Sequence, residues 1–235
     1  MLHMNIKRHI KQVAWEHILS GIRDGLALQK IQPLIADGPY IPWSDSALNA
    51  TAVSTVLNDI VVNRRSTIVE CGGGVSTLCI GSLLREQGRA DGHLYTIEND
   101  EGWIEVLDEM IKDHKIDKQV TLIHAPLCRT RFSWDKEPWY DTTVLGSKLG
   151  NTQIDMLLVD GPPAHQSEIA HSRYPAGPFF ENMLSERCGI VLDDINRDAE
   201  REIIQAWEKE LGISFREYIL KGNISMGVRG SAFTV

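Results

Sequence analysis

From Thr67 onward the chain alternates short apolar runs with amphipathic stretches. Apolar runs at residues 67–70, 93–98, 120–124, 154–159 and 190–192 have the length and β-branched content of strands buried on both faces. Helical spacing fills the gaps: residues 76–87, a stretch with Trp103, Val106, Leu107, Met110 and Ile111 on one face, and residues 198–211. Strands joined by such helices predict an α/β fold with a parallel sheet and crossover connections. Two weaker runs, 213–220 and 224–228, add a terminal strand pair.

The first third reads differently. Residues 4–31 space Ile6, Ile10, Val13, Ala14, His17, Ile18 and Ile22 on or near one helical face, an amphipathic extension ahead of the core. Pro33, Gly38-Pro39 and Pro42 then break the pattern around Tyr40-Ile41-Pro42-Trp43-Ser44-Asp45. Ser44 or Asp45 is placed to cap a helix through Ala47, Val53, Val56, Leu57 and Ile60. The aromatic and proline-rich segment before it either covers a ligand or packs as a surface crossover. The division that follows is an N-terminal helical and covering segment, 1–65, and a core domain, 66–235.

Composition narrows the function classes. With 24 basic and 32 acidic residues the net charge is −8, which disfavours nucleic acid and anionic membranes and favours a small-molecule substrate. Cys71, Cys79, Cys128 and Cys188 show neither zinc spacing nor a disulfide framework, so reduced, buried thiols are expected. There is no signal-peptide core and no apolar run approaching the roughly 20 residues of a membrane span, which points to a cytoplasmic protein. In that compartment the sequons at Asn49 and Asn223 are chance matches.

The chemistry concentrates at Val69 to Leu78, VECGGGVSTL. Three glycines lie between a strand end and a helix start, where absent Cβ atoms let main chain approach a ligand and the helix N-terminus offers free N–H groups. Glu70 at the strand tip repels a diphosphate and suits a cation. The pattern Glu70-x-Gly72-x-Gly74-x-Ser76 resembles motif I of the class I S-adenosylmethionine (SAM) dependent methyltransferases. Dinucleotide loops follow Gly-x-Gly-x-x-Gly, and Thr77 occupies the third glycine position here. The resemblance covers about residues 66–230. It implies a Rossmann-like, mostly parallel seven-stranded sheet with helices on both faces and the last strand inserted antiparallel. For the cofactor it implies SAM, with Glu70, Gly72, Gly74, Ser76 and Thr77 at the methionine end, Asp160 beside the methyl donor, and Ala125 and Pro126 around the adenine. Glu98, with Asn99 beside it, is placed to accept ribose hydroxyls, a device that NAD-binding proteins share.

Open α/β sheets bind ligands at the carboxyl ends of their strands, and Glu70, Glu98, Asp160 and Asp193 end four of the five proposed strands. Asp160 with the pair Asp193-Asp194 resembles the metal positions of metal-dependent O-methyltransferases, both the catechol type and the macrolide or aminocoumarin sugar type. The resemblance implies Mg²⁺ on these three carboxylates and a small hydroxylated acceptor. The catechol type has a lysine three residues after the first aspartate. That position is Pro163 here, which leaves Asp160 and His165 as candidate bases. Arg197 pairing with Asp193 or Asp194 would instead neutralise the cluster without metal, and both readings stay open. Residues 164–180 carry His165, Gln166, Glu168, His171, Arg173 and Tyr174, with substrate contact or helix fixing as alternatives for Arg173-Tyr174-Pro175. The aromatics between Phe132 and Asp141 form either a substrate wall or a homodimer contact. Two rival functions remain: an NAD-dependent oxidoreductase, and a SAM-binding module without turnover.

Overall fold

The computed structural model describes residues 2–44, 46–218 and 222–233, with side chains of the first helix described at residue 15 and from residue 18 onward. Helix α1 spans Leu2–Ile35 and α2 Ala50–Val62. The alternating part follows as β1 (Thr67–Cys71), α3 (Val75–Gln87), β2 (His93–Glu98), α4 (Glu101–Asp113) and β3 (Val120–His124). A two-residue hairpin, β4 (Leu127–Cys128) and β5 (Trp139–Tyr140), precedes α5 (Thr142–Leu149), β6 (Ile154–Val159), α6 (Ala176–Phe180), β7 (Leu184–Leu192), α7 (Asp198–Leu211), β8 (Phe215–Tyr218) and β9 (Ile224–Val228).

Seven strands form one sheet in the order β3-β2-β1-β6-β7-β9-β8. The first five of these run parallel, while β9 pairs antiparallel with both β7 and β8. Side chains alternate across the sheet. Ile68, Leu94, Met156, Leu158 and Val191 pack under α2, α3 and the buried end of α1, and Val69, Ile97, Leu157, Val159 and Leu192 pack against α5, α6 and α7. Both faces are therefore covered, as the continuous apolar runs require. The chain order reverses between β1 and β6, so the loops after β1 and β6 meet at a switch point, where such sheets hold ligands.

Several sequence expectations change. Helix α1 continues through Pro33 to Ile35, so that proline does not end it. Ile18 and Ile22 are 52% and 54% exposed, whereas Ala27 and Ile31 enter the core, so the expected packing face is wrong at the two isoleucines. The rest of that expected face, Ile6 to His17, lies outside the described side chains. The cap of α2 is Asn49, whose side chain accepts from the Ala52 N–H at 2.9 Å and donates to the Gly222 carbonyl at 2.9 Å. Ser44 therefore does not cap the helix, and Asp45 lies outside the described residues. In α4, Leu107 and Ile111 are buried but Val106 faces solvent. All four cysteines are free, yet Cys128 is exposed, because the two-residue strand β4 carries it away from both cores.

Candidate functional site

The loop after β1 is held from below by its own sequence. Thr77 Oγ1 accepts from the Gly74 N–H at 3.0 Å and donates to Glu70 Oε2 at 2.6 Å, and Thr96 Oγ1 donates to the same oxygen at 2.9 Å. Glu70 is fully buried and Oε1 has no partner. Burial pushes its carboxyl up to about 7 against the opposing pull of hydrogen bonds from Ser76, Thr77 and Thr96. This corrects the expected geometry: Glu70, Ser76 and Thr77 brace the turn from beneath and do not line the cavity above it. The Gly72 backbone has φ +87°, and a Cβ there would sit 2.8 Å from the Gly161 nitrogen. The loops after β1 and β6 thus touch through main chain, with Cys71 O accepting from Asp160 and Gly161 N–H at 2.9 and 2.7 Å.

Glu98, at the tip of β2, accepts from the backbone N–H groups of Asn99 (2.6 Å), Asp100 (2.9 Å) and Gly73 (3.3 Å). These contacts fix its orientation and leave acceptor capacity on a carboxylate that faces the cavity. The Trp103 indole N–H donates to Gly73 O at 2.7 Å and latches the glycine turn to α4. Nothing in the sequence had singled Trp103 out for this role. Ala125 is buried and Pro126 exposed, and neither lines the cavity, so the expected adenine wall is not formed by these side chains.

That cavity, about 440 Å³, runs from Gly72, Glu98 and Asn99 to Tyr140, Asp160, His165, Arg173, Asp193 and Asp194. Ser46 and Ala47 line it and also line a neighbouring apolar cavity of about 250 Å³ with Ile41, Pro42, Ser44 and Trp103, so the segment before α2 flanks both cavities. Of the expected aromatic wall, only Tyr140 lines the cavity. Its buried hydroxyl has no partner and presses close enough to Gly161 that a Cβ there would lie 2.6 Å away. Trp139 is fully buried, Trp134 stacks on His171 at 4.4 Å, and Phe132 packs on Phe179, so this excursion closes the fold.

At the far end, ligand atoms of Asp160, Asp193 and Asp194 all lie within 4.8 Å of one another. Burial with repulsion from Asp193 raises Asp160 well above the carboxylate range, and burial with repulsion from Asp194 raises Asp193 to about 6. Asp194 holds a left-handed backbone, φ +61°, which turns its side chain toward Arg173 and Arg197. Arg173 is the residue that sequence reading undervalued. Its side chain, 5% exposed, reaches Asp160 at 3.3 Å, Asp194 at 3.0 Å and the buried Glu200 at 3.7 Å. It also donates to the Pro162 carbonyl at 3.3 Å. Arg197 pairs with Asp194 at 2.9 Å and Glu200 at 3.3 Å, as the metal-free alternative expected for Asp194. His165 stands exposed at the cavity mouth, and His171 is turned away between Glu137 and Glu202.

A family model described as a methyltransferase domain matches residues 69–195, more than half the chain. The chain belongs to the methyltransferase domain family. The expectation of an enzyme of this class, drawn from the Glu70–Ser76 pattern, therefore holds, and the nicotinamide reading falls. No functionally curated sequence matches this methyltransferase. Solved structures share its fold at low identity. An S-adenosylhomocysteine-bound methyltransferase from Podospora anserina is 13% identical with a TM-score of 0.58, covering 96% of each chain. The O-methyltransferase TomG from Streptomyces achromogenes, involved in tomaymycin synthesis and solved with SAM, is 16% identical with a TM-score of 0.53, covering 88% of this chain and 90% of its own. An O-methyltransferase from Bacillus cereus in complex with S-adenosylhomocysteine is 14% identical with a TM-score of 0.54, covering 92% and 97%. The Rossmann-like sheet with its antiparallel β9 is the fold they share with the methyltransferase.

Proposed function

We propose that this methyltransferase uses SAM to methylate a hydroxyl oxygen of a small molecule. The observation that carries the reading is the continuity of one cavity from the glycine turn and Glu98 to the carboxylate and arginine cluster. The glycine turn passes the test for an adenosyl ligand. It offers main chain without Cβ atoms at Gly72 and a helix N-terminus at α3, and the Glu98 acceptor lies one strand away. Gly72, Gly74, Glu98 and Asn99 would hold the cofactor, whose sulfonium supplies an electrophilic methyl group when bound. The solved O-methyltransferases of the same fold, with SAM or its product, support this choice of cofactor and reaction.

The chain's own residues then position the acceptor. Asp160 lines the cavity beside Arg173, where in its ionised form it would take the proton of an acceptor hydroxyl. His165 is less constrained at the mouth and serves as the second candidate. Ser46 and Ala47, which line both cavities, would help to keep water from the join between the two ends.

A divalent cation is a second reading favoured by charge. Among the described residues, Arg173 and Arg197 are the cations paired within the cluster of Asp160, Asp193, Asp194 and Glu200, which leaves two negative charges uncompensated when all are ionised. Asp160, Asp193 and Asp194 present oxygen donors of the kind Mg²⁺ takes, and the ion would supply Lewis-acid polarisation of the acceptor. The four free cysteines support a reducing, cytoplasmic setting. No described helix is long and apolar enough to cross a membrane.

Calorimetric titration with SAM and S-adenosylhomocysteine, followed by turnover across a library of hydroxylated compounds, tests the function. Saturable SAM binding with methyl transfer to oxygen supports it, and binding without any turnover would favour the inert module. Turnover unchanged by EDTA, with no heat on Mg²⁺ titration, removes the metal reading alone.

A further inference from the structure

Tyr140 carries a polar atom that the fold positions firmly and then leaves unpaired. The residue is 0% exposed, and its hydroxyl has no hydrogen-bond partner among the described residues. The ring is held from several sides. Trp139 lies edge-on to it at 5.7 Å, the hairpin pairs it with Leu127, and the next residue, Asp141, donates its N–H to the Pro126 carbonyl at 3.0 Å and caps α5. The N–H groups of the adjoining seam are already engaged, Gly72 with the Ile97 carbonyl and both Asp160 and Gly161 with that of Cys71. The hydroxyl also limits what can stand at position 161. A Cβ on Gly161 would lie 2.6 Å from the phenol oxygen and 2.8 Å from the Gly72 Cα, so the oxygen fills space that a side chain would otherwise take. A buried hydroxyl without a hydrogen bond is unfavourable. A glycine that makes room for one points to a partner outside the chain.

Position narrows that partner. Tyr140 lines the cavity together with Glu98 from the cofactor end and Asp160 from the acceptor end, against the seam where Gly72 meets Gly161. With a ribose at Glu98 and the acceptor hydroxyl at Asp160, the ligand atoms that lie between are the sulfur of SAM and its attached carbons. These bear a positive charge and polarised C–H groups but no N–H or O–H, so an oxygen lone pair suits them. Burial, with the neighbouring acids, pushes the phenol well above its ordinary value and keeps it a neutral hydroxyl. On the reading that SAM is the cofactor, we propose that the Tyr140 oxygen contacts the sulfonium centre and distinguishes cofactor from product. S-adenosylhomocysteine has lost both the charge and the methyl carbon, so the same oxygen holds it less and the product leaves more readily.

Calorimetric titration of the whole chain and of Tyr140→Phe, with SAM and with S-adenosylhomocysteine, tests this. Phenylalanine keeps the ring and removes only the oxygen. SAM affinity should fall by about two- to five-fold, the worth of a weak C–H hydrogen bond, and affinity for the product should change less, so the ratio of the two narrows. In urea melts the variant should be as stable as the parent or more so, because an unpaired buried hydroxyl is gone. A hydroxyl that only braced the seam would give the opposite sign. Fluorine NMR of the 3-fluorotyrosine protein adds a readout in the parent fold: the resonance missing from Tyr140→Phe should shift more with SAM than with S-adenosylhomocysteine. Equal losses for the two ligands, unchanged affinity for both, or a less stable variant would overturn the proposal and leave the SAM reading standing. A parent chain that binds neither ligand would remove that reading and the proposal with it.

Discussion

The two ends of the cavity solve the same problem, acidic side chains at strand tips, by opposite means. At the glycine turn, Glu70 is removed from solvent and one of its oxygens is held by neutral hydroxyls from Thr77 and Thr96, while Glu98 collects three backbone N–H groups. At the far end, Asp160 and Asp194 are answered by the guanidinium of Arg173, with Asp193 left beside them within 4.8 Å. Neutral donors fix a geometry with little consequence for charge. A guanidinium among four carboxylates leaves a site whose charge state depends on what enters it. The first arrangement suits a constant cofactor, and the second suits a step in which a proton leaves the acceptor.

Removing the cation should have the largest effect. Arg173→Met leaves Asp160, Asp194 and Glu200 without their shared partner in a mostly buried site, so a loss of about 3–5 kcal/mol is expected in chemical denaturation. Recovery by Arg173→Lys should be partial, since an ammonium cannot reproduce the planar fork. A neutral result would mean that the far end is not held by charge.

Asp160→Asn should separate chemistry from binding. A loss of about 10²–10⁴ in turnover is expected if Asp160 takes the acceptor proton, with SAM affinity changed only a few-fold by calorimetry. Equal losses in both would place Asp160 in the cofactor end of the comparison.

Glu70 tests the neutral end through pH. Its folded value of about 7 lies above the ordinary 4.5, so the folded state binds the extra proton more tightly than the unfolded chain. Stability from this group is therefore present below pH 4.5 and is lost as pH rises through 7. Glu70→Gln should flatten that decline and be more stable above it, by up to roughly 3 kcal/mol for a fully buried group. Thermal melts from pH 4 to 8 check this, and parallel slopes in the two proteins would show that Glu70 titrates alike in the folded and unfolded states.

The smallest effect is expected at the latch. Trp103→Phe keeps the ring and removes the N–H that holds Gly73 O. A single neutral hydrogen bond is worth about 1 kcal/mol, so SAM affinity should fall several-fold with turnover at saturation unchanged.

How far each end could be read from sequence follows the same division. The glycine turn, Glu70 and Thr77 lie within eight residues, so local pattern identified the turn, although it placed the Glu70 carboxylate above the loop when it lies beneath. Asp160 and Asp193 were legible because apolar runs end at them. Arg173 was not, because it lies between elements, in a segment whose pattern also fits a helix cap. Trp139 read as part of a substrate wall or of a dimer contact and is buried at 0% exposure, since a lone hairpin carries no periodicity that shows which way it folds.

Sequence by itself determined the alternation of strand and helix, the glycine turn at residues 72–74 and the acids at the strand ends, because backbone freedom and burial on both sheet faces leave local marks. Tertiary structure alone decided that Glu70 supports the loop from below, that Arg173 stands among the carboxylates, and that α1 turns one apolar side inward and the other to solvent. Each of these depends on which distant surfaces meet, and periodicity along one chain does not carry that information.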